Sequence, residues 1–179
     1  KLLAAYYIRK EAFSEALAVV EPFYTAHSSN YVLGMLYARL LLLTGQYPAA
    51  DALLTRLDII PFEGATDGRR LYHEAKLMQA VAQIKKGRYK KALLFIQAAG
   101  KWPENLGVGK PYPENIDERL ENWLSYHCYH LMGNEKKAQQ ALNSIAGFQP
   151  RTENTVSNYL SSNTLVTAWA LDRSGKRPE

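Results

Sequence analysis

The chain has 179 residues, 47% of them hydrophobic, which is enough apolar content for a sizeable core and excludes a disordered chain. Its 22 basic and 17 acidic residues leave a net charge of +5, read as a mild excess spread along the chain, and this does not by itself imply nucleic acid. A single cysteine, Cys128, excludes an internal disulfide and a multi-cysteine zinc site.

Taken in chain order, apolar periodicity predicts nine helices, over 1–10, 12–26, 29–44, 47–58, 67–86, 89–100, 115–132, 135–146 and 153–173. Ser28 or Ser29 is expected to cap the third. Asn115 with Glu118 is expected to open the seventh as an Asn variant of the capping box. No apolar run approaches the roughly 18 residues that span a bilayer; the longest candidate, YARLLLLTG, is short and contains Arg39. There is no signal-peptide pattern, and nothing in the sequence fixes a compartment or an oligomeric state. Because the chain opens at Lys1, without methionine and already in helix, it is expected to be part of a longer protein.

Three segments align on a glycine: GQYPAA from Gly45, GRYKKA from Gly87 and GNEKKA from Gly133. A fourth, EAFSEA, has Glu11 in the glycine place. Five residues after each of these anchors stands alanine, at Ala16, Ala50, Ala92 and Ala138. Nine residues after stands an aliphatic side chain, at Val20, Leu54, Ile96 and Leu142. Two residues after, three of the four anchors have an aromatic, Phe13, Tyr47 and Tyr89, with Glu135 the exception. Seven residues before stand Ala4, Ala38, Ala80 and, in the last, Tyr126; a further anchor at Gly175 puts Ala168 in that place.

The physical reading is helix-on-helix packing. A small residue on each of two antiparallel helices lets the backbones approach, larger side chains fill the space around the contact, and glycine ends the first helix in a left-handed cap. This pattern resembles the tetratricopeptide repeat family over nearly the whole chain. Glu11 to Gly45 spans 34 residues, the standard length of that repeat; the later spacings are 42, 46 and 42, with the extra residues placed between repeats. The resemblance implies an all-α fold: antiparallel helical hairpins stacked as a right-handed α-solenoid of about four and a half repeats, forming one array over 1–179. The repeats fall approximately at 1–28, 29–62, 67–101 and 115–148, with a half repeat at 153–173.

The longest insertion, WPENLGVGKPYPEN over residues 102–115, carries Gly107, Gly109 and Lys110 in a G-x-G-K arrangement that hints at phosphate. It fails the P-loop pattern: one residue separates the glycines, Pro111 follows the lysine, and a helix precedes it in place of a strand. It also fails the dinucleotide fingerprint, with Tyr112 in the third glycine place. The segment is expected to be an ordered connector, its prolines excluding helix and Trp102 and Tyr112 pinning it to the array. Its PENLGVGKP core is similar to a connector in bacterial multidomain proteins of unknown function, which carry β-sandwich domains, some resembling carbohydrate-active folds, ahead of C-terminal tetratricopeptide repeats. That similarity implies that this chain is the C-terminal array of such a protein, and it brings no catalytic residue with it.

By the family resemblance, the first helix of each hairpin lines a ligand-facing surface with the positions ten, six, three and two residues before the anchor. These are Met35, Arg39, Leu42 and Leu43; Leu77, Val81, Ile84 and Lys85; Trp123, His127, His130 and Leu131; and Leu165, Trp169, Asp172 and Arg173. The candidates for ligand contact are Arg39, Lys85, Trp123, His127, His130, Trp169 and Arg173, against the plain alternative that the aromatics pack between helices. The Lys and Asn clamp that some family members close on a peptide carboxylate is missing from Met35, Leu77, Val81 and Trp123.

Other chemistry is poorly supported. His127 and His130 in HCYH leave a zinc site short of ligands, with His73 and Glu74 distant in sequence, so no metal is expected. Nothing marks a base, orienting carboxylate or oxyanion site for Cys128. The basic run KKGRYKK, Lys85 to Lys91, crosses a hairpin turn and keeps no aromatic to stack on a base. The sequence therefore predicts a non-enzymatic interaction scaffold without cofactor, nucleic acid or membrane span, holding a protein or peptide segment or another domain of the same chain. The alternatives are an accessory region of a carbohydrate-active enzyme, or glycan or small-ligand binding in the aromatic end of the groove.

Overall fold

The structure, a computed structural model, describes residues 2–61, 66–149 and 160–175. All regular structure among them is helical: α1 (Leu2–Arg9), α2 (Phe13–Ala26), α3 (Tyr31–Leu43), α4 (Tyr47–Arg56), α5 (Asp67–Lys85), α6 (Tyr89–Ala99), α7 (Arg119–Leu131), α8 (Glu135–Ala146) and α9 (Leu160–Arg173). Two single 3-10 turns, Glu104–Leu106 and Pro113–Asn115, lie between α6 and α7. The chain divides into two compact units, Lys1–Gln79 with Lys101–Gly109, and Ala80–Gly100 with Lys110–Glu179.

The anchors explain where the helices stop. Gly45, Gly87, Gly133 and Gly175 all have positive φ, between 68° and 76°. Glu11, in the glycine place of the first motif, is the one positive-φ residue other than glycine among the described residues, at 56°. At Gly45 the chain closes a Schellman cap, in which the Gln46 N–H donates to the Leu41 carbonyl at 2.7 Å and the Gly45 N–H to that of Leu42 at 3.0 Å. The same pair of bonds recurs from Arg88 to Gln83 and Gly87 to Ile84, from Asn134 to Tyr129 and Gly133 to His130, and from Ala12 to Tyr7 and Glu11 to Ile8. One backbone device thus turns the chain four times.

Within the first unit α1 packs on α2, α2 on α3 and α3 on α4. Ala4 and Ala16 are buried together with Val20 and Leu40. Ala38 and Ala50 share the larger cluster with Leu53, Leu54, Leu57, Leu71, Tyr72 and Ala75. Within the second unit Ala80 and Ala92 are buried with Ile96 and Cys128, and Ala138 lies with Tyr126, Leu142, Ile145, Val166 and Ala170. Each alanine expected to face its hairpin mate therefore shares a cluster with it. A buried aliphatic of this kind contributes about 1.5–3 kcal/mol relative to exposure.

The connector after α6 is fixed in the first unit by Trp102, as expected, and also by Asn105 and Leu106, to which the sequence assigned no role. Leu106 enters the large cluster. The Asn105 side-chain amide donates to the carbonyls of Leu54, at 3.0 Å, and Leu57, at 2.7 Å, the end of α4. In return the Ile59 N–H donates to the Asn105 carbonyl at 2.8 Å. Gly107, at φ 67°, lies so close to this strip that an added Cβ would stand 2.7 Å from the Ile59 carbonyl oxygen. Trp102 covers the Arg69 guanidinium at 4.6 Å. Tyr112 corrects the sequence reading: at 74% exposure it pins nothing.

Further corrections are local. Asn30, not Ser28 or Ser29, caps α3, its carboxamide oxygen accepting from the Leu33 N–H at 3.0 Å. Asn115 closes a 3-10 turn and α7 starts at Arg119, four residues later than expected, without a side-chain cap from Glu118. Ala168, in the alanine place before Gly175, is exposed. Residues 153–159 of the ninth predicted helix lie outside the described residues.

Candidate functional site

Two helices of the second unit bring most of the candidate side chains together. On α7, Trp123, His127 and His130 recur every three or four residues and so share a face. On α9, Trp169 and Arg173 do the same. The helices run in the same direction, because residues taken in order along the α7 end of the chain meet residues taken in order along α9: Asp117 meets Asn163, Arg119 meets Thr167 and Trp123 meets Trp169. Asn163 donates to Asp117 Oδ2 at 2.7 Å and Arg119 Nη1 donates to Thr167 Oγ1 at 3.0 Å. Arg119 also holds both oxygens of Asp117, through Nη2 at 2.7 Å and Nε at 2.9 Å, and its guanidinium lies 4.5 Å from the Phe148 ring centroid. Burial works to raise the Asp117 carboxyl, but the Arg119 and Asn163 hydrogen bonds and the Arg119 charge outweigh it and hold it below the ordinary value of 3.8.

This polar knot sets α9 beside α7 so that the Trp123 and Trp169 rings meet at 5.7 Å between centroids, tilted by 32°. Trp123 also stacks on Tyr126 at 5.4 Å and takes the His127 ring edge-on at 4.6 Å. Tyr126 lies between the imidazoles, 5.1 Å from His127 and 5.7 Å from His130, the latter nearly parallel at 15°. The result is one continuous patch of aromatic and imidazole rings. Trp123 and His127 are half-buried in it, while His130 and Trp169 are exposed, Trp169 by 46%.

Burial first, then the Arg173 and His130 charges, lower the His127 pKa from 6.5, so this ring is neutral at neutral pH. His130 Nδ1 lies 3.0 Å from Glu135 Oε1. Cys128, adjacent in sequence, faces away into the core between α6 and α7, and burial pushes its thiol up to about 11. A thiol so placed is protonated and unsuited to nucleophilic attack. Among the described residues no group of three His, Cys, Asp or Glu side chains could hold a metal ion, and no helix is long and apolar enough to cross a membrane.

The two remaining candidates lie on other helices. Arg39 is exposed on α3 in the first unit. Lys85 is exposed at the last residue of α5, in the second unit. Two positions expected to face a ligand do not: Leu42 joins the core of the first unit, and Leu77 is buried as well. Reasoning from sequence missed the central part of Tyr126, although an aromatic standing in an otherwise alanine position was a visible sign of different packing there. It also missed Asp117, Arg119, Asn163 and Thr167, which no local motif connects.

Comparison of the chain with protein-family models, with curated proteins and with solved structures finds no match.

Proposed function

We propose that the chain is a tetratricopeptide-like array, a right-handed α-solenoid of about four and a half hairpins, acting as a non-catalytic scaffold that holds a protein or peptide segment on its first helices. The repeated Schellman caps and shared alanine clusters support the hairpin unit. The contact of α7 with both α8 and α9 supports their stacking.

The observation that carries the functional reading is Trp169. A large aromatic that is half in water, backed by Trp123, whose ring in turn meets His127, supplies rigid contact area at small entropic cost, which is the character of an interface hot spot. The side chains around it offer hydrogen bonds and apolar surface without an activated nucleophile, so binding is the chemistry they suit. The test is selection of displayed peptides on the purified chain and on Trp169→Ala. Sequences enriched on the first and lost on the second support the reading. Absence of enrichment, or enrichment that ignores the substitution, contradicts it.

A further inference from the structure

Resting on that reading, we infer that the segment held by the second unit is an acidic peptide, with an apolar side chain against Trp169 and carboxylates running onto a basic edge where three chain segments end together.

Helix directions assemble that edge. A side chain added at Gly100, just after α6, would meet Glu118 Oε1, just before α7, at 3.7 Å. The end of α6 is thus beside the start of α7, and the two packed helices run in opposite directions. The turn that opens α6 therefore lies at the end of α7 where the chain turns into α8. The knot of Asp117, Arg119, Asn163 and Thr167 makes α7 and α9 parallel, so α9 ends on this edge too. Cations dispersed in sequence thus fall at one end of these helices: five exposed ones between Lys85 and Lys91, Lys136 and Lys137 after the α7–α8 turn, and Arg173 in the last turn of α9.

The aromatic patch runs up to this edge. Trp123 and Trp169 sit lower on α7 and α9, with His127, His130 and Arg173 above them toward the helix ends. A ligand anchored at Trp169 and continuing along the helices meets positive charge. Arg173 and the flanking lysines attract carboxylates at any physiological pH. Glu135, at 3.0 Å from His130, and Asp172 interrupt the field. A nucleic acid presents closely spaced phosphates that these carboxylates repel, whereas a peptide spaces its charges more widely. The rings also stack on one another, which leaves no row of open faces for successive bases.

The experiment uses fluorescence polarisation with a labelled Glu-rich peptide carrying a central Phe and its twin with Gln for every Glu. An oligothymidylate and vesicles containing phosphatidylserine serve as the other polyanions. The expected result is about tenfold tighter binding of the Glu peptide at low salt, with the preference erased by added salt and by Lys85→Glu with Arg173→Glu. Trp169→Ala weakens both peptides. Both variants alter exposed side chains, so their helical circular dichroism matches the parent's. Equal binding of the twins overturns the acidic preference and leaves the scaffold reading intact. Tighter binding of the oligonucleotide or vesicles than of the Glu peptide overturns the choice of partner. Failure of both peptides, with enriched sequences still found by display, overturns this inference and not the scaffold reading; failure of both experiments sinks the two together.

Discussion

Asn105 donates one side-chain amide to two backbone carbonyls, those of Leu54 and Leu57, 51 and 48 residues earlier in the chain. The end of a helix normally leaves its last carbonyls to water or to a cap. Here a residue of the connector after α6 supplies the cap for α4, and Leu106 beside it completes the core. Replacing Asn105 by Ala leaves both acceptors without that donor and is expected to cost about 1–3 kcal/mol in denaturant unfolding. Tyr112→Ala in the same connector is expected to stay within about 0.5 kcal/mol of the parent.

Gly87 isolates the backbone cost of the hairpin turn. Its φ is 68°, and an added Cβ would meet nothing within 4 Å. Gly87→Ala therefore carries a conformational penalty without a clash and is expected to destabilise by about 1 kcal/mol. Glu11→Gly runs the same comparison backwards, relieving a left-handed φ of 56°, and is expected to gain up to about 1 kcal/mol. Thermal and denaturant midpoints of the two variants, moving in opposite directions, check the claim.

The second unit should respond to acid in two separable steps. The His127 pKa is lowered in the folded state, so the unfolded chain binds more protons as pH falls through 6.5, and stability is lost from there down to the folded value. His127→Gln is expected to flatten this limb of the stability profile. The Asp117 pKa is lowered from 3.8, so its contribution is complete above that value and is lost as pH falls through the depressed one. Asp117→Asn is expected to flatten the lower limb and leave the upper one in place.

Arg119 is nearly fully buried against Asp117, whose side chain is partly exposed. Removing the carboxylate strands a buried cation, so Asp117→Ala is expected to lose on the order of 2 kcal/mol, less than a fully buried pair would. Because this knot positions α9, the same variant is expected to weaken ligand binding at Trp169. A binding isotherm taken where the variant remains folded separates the two effects.

Much of the architecture was legible because its causes are local and periodic. A helix end needs a left-handed residue, and the glycines at 45, 87, 133 and 175 announced it; a close helix contact needs a small side chain, and alanines five after the first four anchors announced that. The aromatic face of α7 was legible for the same reason, since Trp123, His127 and His130 share helical spacing. The features missed are nonlocal. Asn105 finds its partners across the first unit, and Asn163 finds Asp117 forty-six residues away. Leu42 and Leu77 were placed on the ligand face by analogy with a repeat register, and packing took them inward. The basic edge was invisible because helix direction, not sequence proximity, collects Lys85–Lys91, Lys136, Lys137 and Arg173.

The central claim is that the alanine five residues after each anchor lets the helices of its hairpin close on one another. Ala16, Ala50 and Ala92 have no exposed surface and Ala138 has 1%, whereas Ala168 is exposed on α9. Replacing each by Leu and measuring unfolding free energies is the most direct test. The account predicts a loss of about 1–3 kcal/mol at each of the four buried sites and little change at Ala168. Leucine tolerated equally well at all five positions would contradict it.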